Sequence, residues 1–512
     1  MSSVPRGQMS TKSAKRDDEP ERGHPGRATP NAGLALNDAF ERASPRVSPR
    51  GTSFVAVLIH AGVLLLWVGL FARAFFLRGL VAWSVGIAYV LYDTLLLAFV
   101  TFKTLPLLKA HREPALRGAM PTLGVIVAAY NEAAVLPVTL AALLEQEVAP
   151  HRIVIADDGS TDGTAALLKR EYGLAQPPEG QASAFSPRYP TLCWLRLPHG
   201  GKAQALNAAI ALLDTDAVLT VDADTHLARD ACTAMCDAFA REPELVAATG
   251  IITPVCARTM TGRFFQWFQT YEYIRNFISR FAWMRTDALL LVSGAFACFR
   301  RDALMSVGGF DPQCLVEDYE LIHRLRRYAV EHGKRWRVRV IGTAHAHTDA
   351  PGTLPSFLRQ RRRWFAGFLQ TQYWNRDITG NRRYGALGLL MMPVKAIDTV
   401  QPIYGLTAFA LLLAFIVTGR FSVVLPISGV IAAKIVVDLA FHLWSVYLYR
   451  RWTNDRRGLR LPMAILASIA EPFSFQLLRH AGAALGWVHL LSARRHWGTQ
   501  ERTGIVDGAR MD

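Results

Sequence analysis

The chain has 512 residues, of which 51% are apolar, and its mean hydropathy is positive at +0.17. Soluble globular proteins rarely combine these values with 12 Trp and 26 Phe, so we expect membrane spans beside a folded domain. The net charge of +16 raises nucleic acid as a partner, but we find no nucleic-acid module and expect no nucleic acid to bind. A cytoplasmic membrane surface accounts better for the basic excess.

Residues 1–52 are rich in Arg, Pro, Ser, Asp and Glu, which predicts a disordered cytosolic tail. Two apolar segments follow at 53–77 and 79–102, and each is long enough to cross a hydrocarbon layer of ~30 Å as a helix. We therefore predict two transmembrane helices over 53–102. Four basic residues come next and place that side in the cytosol: Lys103, Lys109, Arg112 and Arg117.

Residues 119–376 have the pattern of a soluble α/β domain. The runs TLGVIVAAYNE, HRIVIADDGS, TLCWLRLP and DAVLTVDADT predict strands, and helical segments alternate with them. This alternation predicts a mostly parallel sheet covered by helices on both faces. Ligands bind at the carboxyl ends of such strands, where six polar residues follow strands here: Asn131, Glu132, Asp157, Asp158, Asp222 and Asp224.

Apolar character returns over 384–491. The first stretch, YGALGLLMMPVKAIDTVQPIYG, contains Pro393, Lys395 and Asp398, so we predict an interfacial helix there and not a span. Residues 401–418 and 423–449 are better spans, while 461–491 forms either one kinked span or an amphipathic segment at the interface. The total is four or five spans, followed by a cytosolic tail at 492–512.

Three short motifs follow strands and contain residues suited to binding a phosphate ester. Asp222 and Asp224 form a DxD that suits a divalent cation bridging to a diphosphate, although a solvated turn also explains the pair. Asp157 and Asp158 could bond a ribose or base, or belong to a turn and helix cap. Lys202 follows two glycines at a helix start, where backbone N–H groups favour anions, and a plain Gly-rich turn is the alternative.

The segment CLVEDYELIHRLRR places Glu317 and Asp318 at the beginning of an amphipathic helix. The helix dipole favours carboxylates at this end, which is sufficient to explain both residues. The alternative is that Asp318 is a general base.

The stretch LRQRRRWFAG contains four arginines around one Gln and beside one Trp. On a helix, Gln360, Arg363 and Trp364 share one face, because residues three and four apart are neighbours. We expect that face to meet a site, whereas Arg361 and Arg362 point elsewhere, towards lipid phosphates.

Taken in order, the motifs AAYNE, DDGS, GGKAQALN, DAD, SGAFACFRRDAL, VED and QRRRW resemble those of processive, membrane-embedded family 2 glycosyltransferases. The resemblance covers residues 121–374, and the flanking spans extend it. That group includes cellulose, chitin, hyaluronan and poly-N-acetylglucosamine synthases. The resemblance implies an α/β domain of GT-A type inserted between N-terminal and C-terminal transmembrane helices, and an inverting reaction on a nucleotide sugar with Mg or Mn.

The resemblance also implies a role for each motif residue. It implies nucleotide-sugar binding by Asp157, Asp158, Lys202, Asp222 and Arg363. It further implies metal binding by Asp222 and Asp224, catalysis by Asp318 as the base, and acceptor binding by Gln360 and Trp364. Val316 stands where many members have Thr, and LVSGAF replaces the Phe-Phe-Cys-Gly-Ser of cellulose synthases, so cellulose is a less expected product. The length, the two leading spans and the ending HWGTQERTG resemble the poly-N-acetylglucosamine synthases more closely.

The expected function is transfer of sugar from a UDP-sugar, best UDP-N-acetylglucosamine, to a growing β-linked polysaccharide that passes across the membrane. The expected location is the bacterial inner membrane, in contact with lipid, with a cytosolic catalytic domain. A small membrane partner or an export apparatus fits this function. Three alternatives stay open: a non-processive transferase acting on a lipid-linked or other acceptor, a synthase using UDP-glucose, and a silent scaffold, which the complete set of carboxylates disfavours.

Overall fold

The computed structural model describes residues 30–76, 79–109, 119–454 and 461–492. The predictions for residues 1–29 and 493–512 lie outside these ranges. Within them the strands are β1 Leu123–Ala129, β2 Arg152–Asp157, β3 Gln181–Ala182, β4 Leu192–Arg196, β5 Ala217–Asp222, β6 Thr225–Leu227, β7 Leu245–Val255, β8 Phe296–Arg300 and β9 Arg337–Asp349. The α-helices are α1 Pro30–Ala43, α2 Phe54–Phe76, α3 Ser84–Thr104, α4 Leu136–Leu144, α5 Thr164–Tyr172, α6 Lys202–Leu212, α7 Ala231–Arg241, α8 Met260–Arg285, α9 Arg301–Val307, α10 Glu317–Glu331, α11 Leu354–Trp374, α12 Met392–Val417, α13 Phe421–Thr453, α14 Leu461–Ala470 and α15 Phe475–Leu491.

The strands form one sheet in the order β3-β4-β2-β1-β5-β8-β7-β9-β6. The half containing β4, β2, β1 and β5 is parallel, as predicted. In the other half β7 and β9 are also parallel. The prediction of a mostly parallel sheet is nevertheless wrong there, because β8 runs antiparallel to both β5 and β7 and β6 runs antiparallel to β9. After β7 the chain forms the long helix α8 and returns as β8, which lies beside β7 and runs antiparallel to it. The sheet is therefore mixed.

The register of the parallel strands brings their polar ends together. Ala129 of β1 is level with Asp157 of β2, and Ala128 is level with Asp222 of β5. The strands themselves are apolar and almost wholly buried, as expected for strands covered on both faces. Both carboxylates therefore emerge at the same edge of the sheet.

The amino-terminal region is partly folded, which corrects the prediction of a disordered tail over residues 30–52. Helix α1 buries Leu36 and Ala39 and packs against α9 and α6 of the domain. After it, the guanidinium of Arg46 donates to both oxygens of the fully buried Asp311, at 2.8 and 3.0 Å. Composition could not predict this, because a few apolar residues and one arginine are enough to dock a segment on a domain that is already folded.

Four helices of the described chain are long and apolar enough to cross a membrane: Phe54–Ala74, Leu80–Leu108, Leu387–Val417 and Phe421–Thr453. A fifth span is formed if Leu461–Phe473 and Phe475–Leu491, bent by 48°, count as one. This agrees with the predicted total. The helix predicted at the interface is not separate from the span that follows it, because residues 387–417 are continuous. Pro393 falls in the first turn of α12, and Lys395 pairs with Asp398 at 2.8 Å.

Helices α8 and α11 join the domain to the apolar helices. Helix α8 packs on β7 and β9 on one side and on α3 and α13 on the other. Helix α15 lies so close to α11 that a Cβ at Gly482 would stand 2.6 Å from Cβ of Arg361, and one at Gly486 would stand 2.9 Å from Cβ of Phe365. Small residues four apart allow such close helix packing, as they do in membranes.

Candidate active site

A cavity of about 430 Å³ opens at the carboxyl end of β5. Its walls come from α8, α10, α11 and the start of α12, and its size falls in the range of small-molecule sites. Seven of the nine predicted site residues line it: Lys202, Asp222, Asp224, Asp318, Gln360, Arg363 and Trp364. Motifs as far apart in the sequence as Lys202 and Trp364 therefore meet in one place.

Lys202 begins α6, directly after Gly201, whose φ of 95° is a conformation that glycine adopts without strain. Its Nζ lies 2.5 Å from Oδ1 of Asp222 and 3.4 Å from Oε1 of Glu317. Burial by itself would lower the pKa of Lys202, but these two carboxylates outweigh it and hold the pKa well above its ordinary value. The ammonium is therefore charged at any physiological pH.

Asp222 and Asp224 leave the end of β5 on either side of one alanine. Asp224 is buried, and it accepts a long hydrogen bond of 3.4 Å from Oγ1 of Thr348. In the described ranges, no group of three or more His, Cys, Asp or Glu side chains is placed to hold a metal ion. The pair thus offers part of a coordination shell, and the remaining ligands would have to come from a substrate and water.

Asp157 and Asp158 do not line the cavity. Asp157 accepts hydrogen bonds from Nε1 of Trp194 at 3.1 Å and from the backbone of Ser160 at 2.9 Å. Asp158 accepts from the backbone N–H groups of Gly200 and Gly201 at 2.8 and 2.9 Å. Their contact with a nucleotide stays a prediction, and the structure adds that Asp158 holds the turn that leads into Lys202.

Asp318 lies in the first turn of α10 and faces the cavity. One carboxylate oxygen accepts from the backbone N–H of Gly294 at 2.7 Å and the other from that of Tyr319 at 2.8 Å. Burial raises the pKa of Asp318 to about 6, Glu317 adds to the rise, and Lys202 opposes it. A carboxyl group at a helix start can be explained by the dipole, but a raised pKa in a cavity is typical of a proton acceptor.

Helix α11 divides its arginines differently from the sequence-based expectation. Nη1 of Arg363 donates to the carbonyl of Leu315 at 3.2 Å, at the cavity wall. Arg361 also reaches the cavity, where it pairs with the buried Glu272 at 2.7 Å and lies 4.6 Å from the ring centroid of Trp364. The expectation that Arg361 meets lipid is therefore wrong, because α8 and α15 cover that face of α11.

A network of ion pairs, called here the junction network, lies beside the cavity between α8, α11, α15 and the turn that joins α14 to α15. Glu272 accepts from Arg361 at 2.7 Å and from Arg479 at 3.4 Å. Arg275 donates to Glu471 at 2.5 Å. Sequence reasoning missed this network because its members are far apart in the chain and belong to no motif.

One face of α8 also lines the cavity, and no motif identified it. Its residues recur at helical spacing: Tyr273, Asn276, Phe277, Arg280 and Trp283. The signal was present in the sequence as aromatic and polar residues on a stripe that would be aliphatic in an ordinary core helix. We call this stripe the α8 face.

Comparison with known proteins decides the family. The model for glycosyl transferase family 2 matches residues 124–308, and the model for glycosyl transferase family group 2 matches residues 217–425. Together they span the sheet, the cavity and α12. The chain therefore contains a family 2 glycosyltransferase domain. The predicted family and enzyme class are confirmed.

Poly-beta-1,6-N-acetyl-D-glucosamine synthase of Staphylococcus aureus (strain COL) is 29% identical over 245 residues, which are 47% of this chain and 53% of that protein. The synthase of the same name from Staphylococcus epidermidis is 28% identical over 244 residues, with the same coverage. The match thus spans about half the length of these relatives.

Among solved structures, the mannosyltransferase PcManGT from Pyrobaculum calidifontis, in complex with GDP-Man and Mn2+, aligns with a TM-score of 0.50 at 20% identity. The alignment covers 77% of this chain and 99% of that one. At this identity the likeness concerns the fold. It confirms the predicted α/β fold of GT-A type flanked by apolar helices.

Proposed function

We propose that this enzyme is an inverting, processive synthase that transfers sugar from UDP-N-acetylglucosamine to a growing β-linked polysaccharide. The observation that carries the proposal is the extent of the cavity. It runs from Asp222 and Asp224 at the sheet edge to Lys395 and Asp398 in α12, the first apolar helix after the domain. A polymer made beside the sheet would therefore emerge towards the membrane helices. The poly-N-acetylglucosamine synthases among the relatives support the choice of sugar.

The donor end of the cavity suits a nucleoside diphosphate with a divalent cation. Mg and Mn prefer oxygen ligands, and Mg is commonly held by one or two carboxylates plus substrate phosphates, which fits Asp222 and Asp224. Since Lys202 already pairs with Asp222, the cation would be held chiefly through Asp224. When bound, it would supply positive charge to the leaving diphosphate. Lys202 and Arg363, which line the same cavity, would add two further cations.

Asp318 is the residue best placed to take the acceptor proton. Inversion requires the acceptor hydroxyl to attack opposite the leaving diphosphate, with a base on the side of attack. Asp318 is held by two backbone N–H groups, and its pKa of about 6 leaves it ionised at neutral pH yet basic enough to accept a proton. Trp364 would stack against the acceptor sugar, and Gln360 would bond its hydroxyl groups.

The apolar helices on both sides of the domain support a membrane enzyme of the bacterial inner membrane with its domain in the cytosol. Helix α8 packs directly on α3 and α13, so the domain is joined to candidate spans from both ends of the chain. The proposal includes passage of the polymer across the membrane. It also includes a small membrane partner or an export apparatus. Lipid would surround the apolar helices.

The full chain in lipid vesicles offers a direct test. It is given UDP-N-acetylglucosamine, UDP-glucose or GDP-mannose with Mg or Mn, and the products are sized and digested with linkage-specific hydrolases. We expect long β-linked chains from UDP-N-acetylglucosamine, and none from a matched preparation of Asp224→Asn. Addition of a single sugar would instead support a non-processive transferase on a lipid-linked acceptor, and long chains from UDP-glucose would change the donor.

A further inference from the structure

Arg280 stands out on the α8 face because two of its three guanidinium nitrogens are buried without a hydrogen-bond partner among the described residues. Nε and Nη1 are buried and donate to no partner in the part of the chain that the structure describes. The guanidinium lies 4.7 Å from the ring centroid of Phe277. Burial lowers the pKa of Arg280 to about 10, while Tyr273 and Asp318 act against the shift, so the group stays charged. Buried donors without acceptors are rare in folded proteins and indicate a bound water or ligand.

A complementary atom lies on another wall of the same cavity. Oε1 of Gln360 in α11 is buried and accepts no hydrogen bond from the described residues. One wall thus offers unused donors and another an unused acceptor. A phosphate or carboxylate could satisfy Arg280 but has no proton for Gln360. A hydroxyl group both donates and accepts, so a polyhydroxylated ligand satisfies both walls.

The remaining surface of the α8 face also suits a sugar. Tyr273 and Trp283 line the cavity from α8, and Trp364 lines it from α11. Flat aromatic rings with a polar edge are good partners for a ligand that is apolar on one side and polar on the other. The lining therefore combines aromatic surfaces with hydrogen-bonding groups of both kinds.

Arg280 lines the same cavity as Asp318. Asp318 is one of the two groups that act electrostatically on it, and no ion pair consumes either residue in the described ranges. Asp318 already accepts from the backbone of Gly294 and Tyr319. The diphosphate-facing cation, Lys202, is instead paired with Asp222 at the sheet edge.

We infer that Arg280 is a further acceptor-binding residue, which donates hydrogen bonds to hydroxyl groups of the saccharide that Asp318 deprotonates. The inference rests on the proposed function, since it takes the acceptor to be a saccharide. It adds a specificity-determining residue from α8, which lies outside the motifs. In this arrangement the acceptor is held between α8 and α11, with Gln360 and Arg280 on different walls.

The test compares Arg280→Gln and Arg280→Lys with Arg263→Gln, a matched change at an exposed position of the same helix. The full chain in vesicles is assayed with a β-linked N-acetylglucosamine oligosaccharide as acceptor, at varied donor and varied acceptor concentration. Loss of hydrogen bonds to a charged group should raise the acceptor KM by roughly 10- to 100-fold in Arg280→Gln. The donor KM and the position of the pH profile should not change. Arg280→Lys keeps the charge and should recover part of the loss, and Arg263→Gln should behave as wild type.

Binding of the same oligosaccharide, followed by the fluorescence of the cavity tryptophans, separates this inference from the proposed function. If wild type elongates no acceptor but binds the oligosaccharide more tightly than Arg280→Gln does, polymerisation fails and the role of Arg280 stands. An unchanged acceptor KM and unchanged oligosaccharide binding in a folded Arg280→Gln would overturn the inference. A rise in the donor KM alone would overturn it too, by placing Arg280 on the nucleotide sugar.

Discussion

The cavity and the junction network are neighbouring regions, and both contain buried carboxylates and arginines. In the junction network each carboxylate has its cation: Glu272 binds Arg361 and Arg479, and Glu471 binds Arg275. In the cavity the charges are not matched in this way. Lys202 is shared between two carboxylates, while the carboxyl group of Asp318 has a raised pKa.

The difference shows how a functional cluster of charges can be told from a structural one. Matched pairs stabilise one arrangement of helices, because removal of either partner leaves an uncompensated buried charge. Buried charged groups without a full set of partners lower the stability of the folded state. They are tolerated in a binding site, where a substrate supplies the missing partners. By this criterion we infer that the cavity is the site of chemistry and that the junction network fixes α11 and α8 around it.

The largest expected effect comes from removing the divalent cation. A chelator should abolish transfer and Mg or Mn should restore it, because the leaving diphosphate would otherwise meet Asp222 and Asp224 without a bridging charge. Asp224→Asn should weaken binding of both the cation and the UDP-sugar in titrations, whereas Asp230→Asn, at an exposed position, should not. Full activity in chelator would show that the reaction needs no divalent cation.

Arg363 and Arg361 allow the two regions to be compared on one helix. Arg363→Ala should fold normally and lose about 10²–10³ in turnover, as expected when a charge-stabilising group is removed. Arg361→Ala should instead lower the free energy of unfolding by about 1.5–3 kcal/mol, since it removes a charged hydrogen bond to the buried Glu272. Thermal melts and turnover are measured for both variants, with the exposed Arg359→Ala as control. Equal losses of turnover in all three would mean that the basic run has no division of roles.

The pH profile should show a group titrating near 6. Above that pH Asp318 is a carboxylate and can accept a proton; below it the group is protonated, so activity should fall about tenfold per pH unit as the pH drops further. Glu317 shifts this midpoint upward, and the cations of Lys202 and Arg280 face it from α6 and α8. Initial rates at saturating donor concentration from pH 4 to 8 measure the midpoint, and a flat profile across that range would exclude Asp318 as the titrating base.

The smallest effect on turnover is expected at the docked amino-terminal helix. Arg46→Ala leaves Asp311 buried without its guanidinium and should cost about 1.5–3 kcal/mol of stability, while the folded enzyme keeps its activity. The nearby exposed Arg42→Ala serves as the matched control in thermal melts. A large loss of turnover at full stability would show that the docked amino-terminal region affects the position of α10 and of Asp318 at its start.

Sequence patterns predicted what short-range rules determine. Asp222 follows an apolar strand, Lys202 and Asp318 begin helices, and Gln360, Arg363 and Trp364 share a helix face; each of these follows from local periodicity. The direction of Arg361 and the docking of α1 could not be predicted, because they depend on surfaces that α8, α15 and α9 provide from distant parts of the chain. The continuity of α12 was missed for a different reason: Lys395 by itself argues against a span, whereas it pairs with Asp398 three residues later on the same helix.

The central claim, that Asp318 is the proton acceptor, is tested most directly by Asp318→Asn, with turnover, UDP-sugar binding and melting temperature measured on one preparation. Asn keeps the size of Asp and one of its two hydrogen bonds from backbone N–H groups, and it cannot accept a proton. Turnover should fall by roughly 10²–10⁴-fold. Binding of the UDP-sugar should be unchanged. The melting temperature should change little, because the lost hydrogen bond is offset by removal of a buried carboxyl group whose raised pKa destabilises the folded state at neutral pH. Near-normal turnover would contradict the claim and leave Asp318 as a residue that only supports the start of α10.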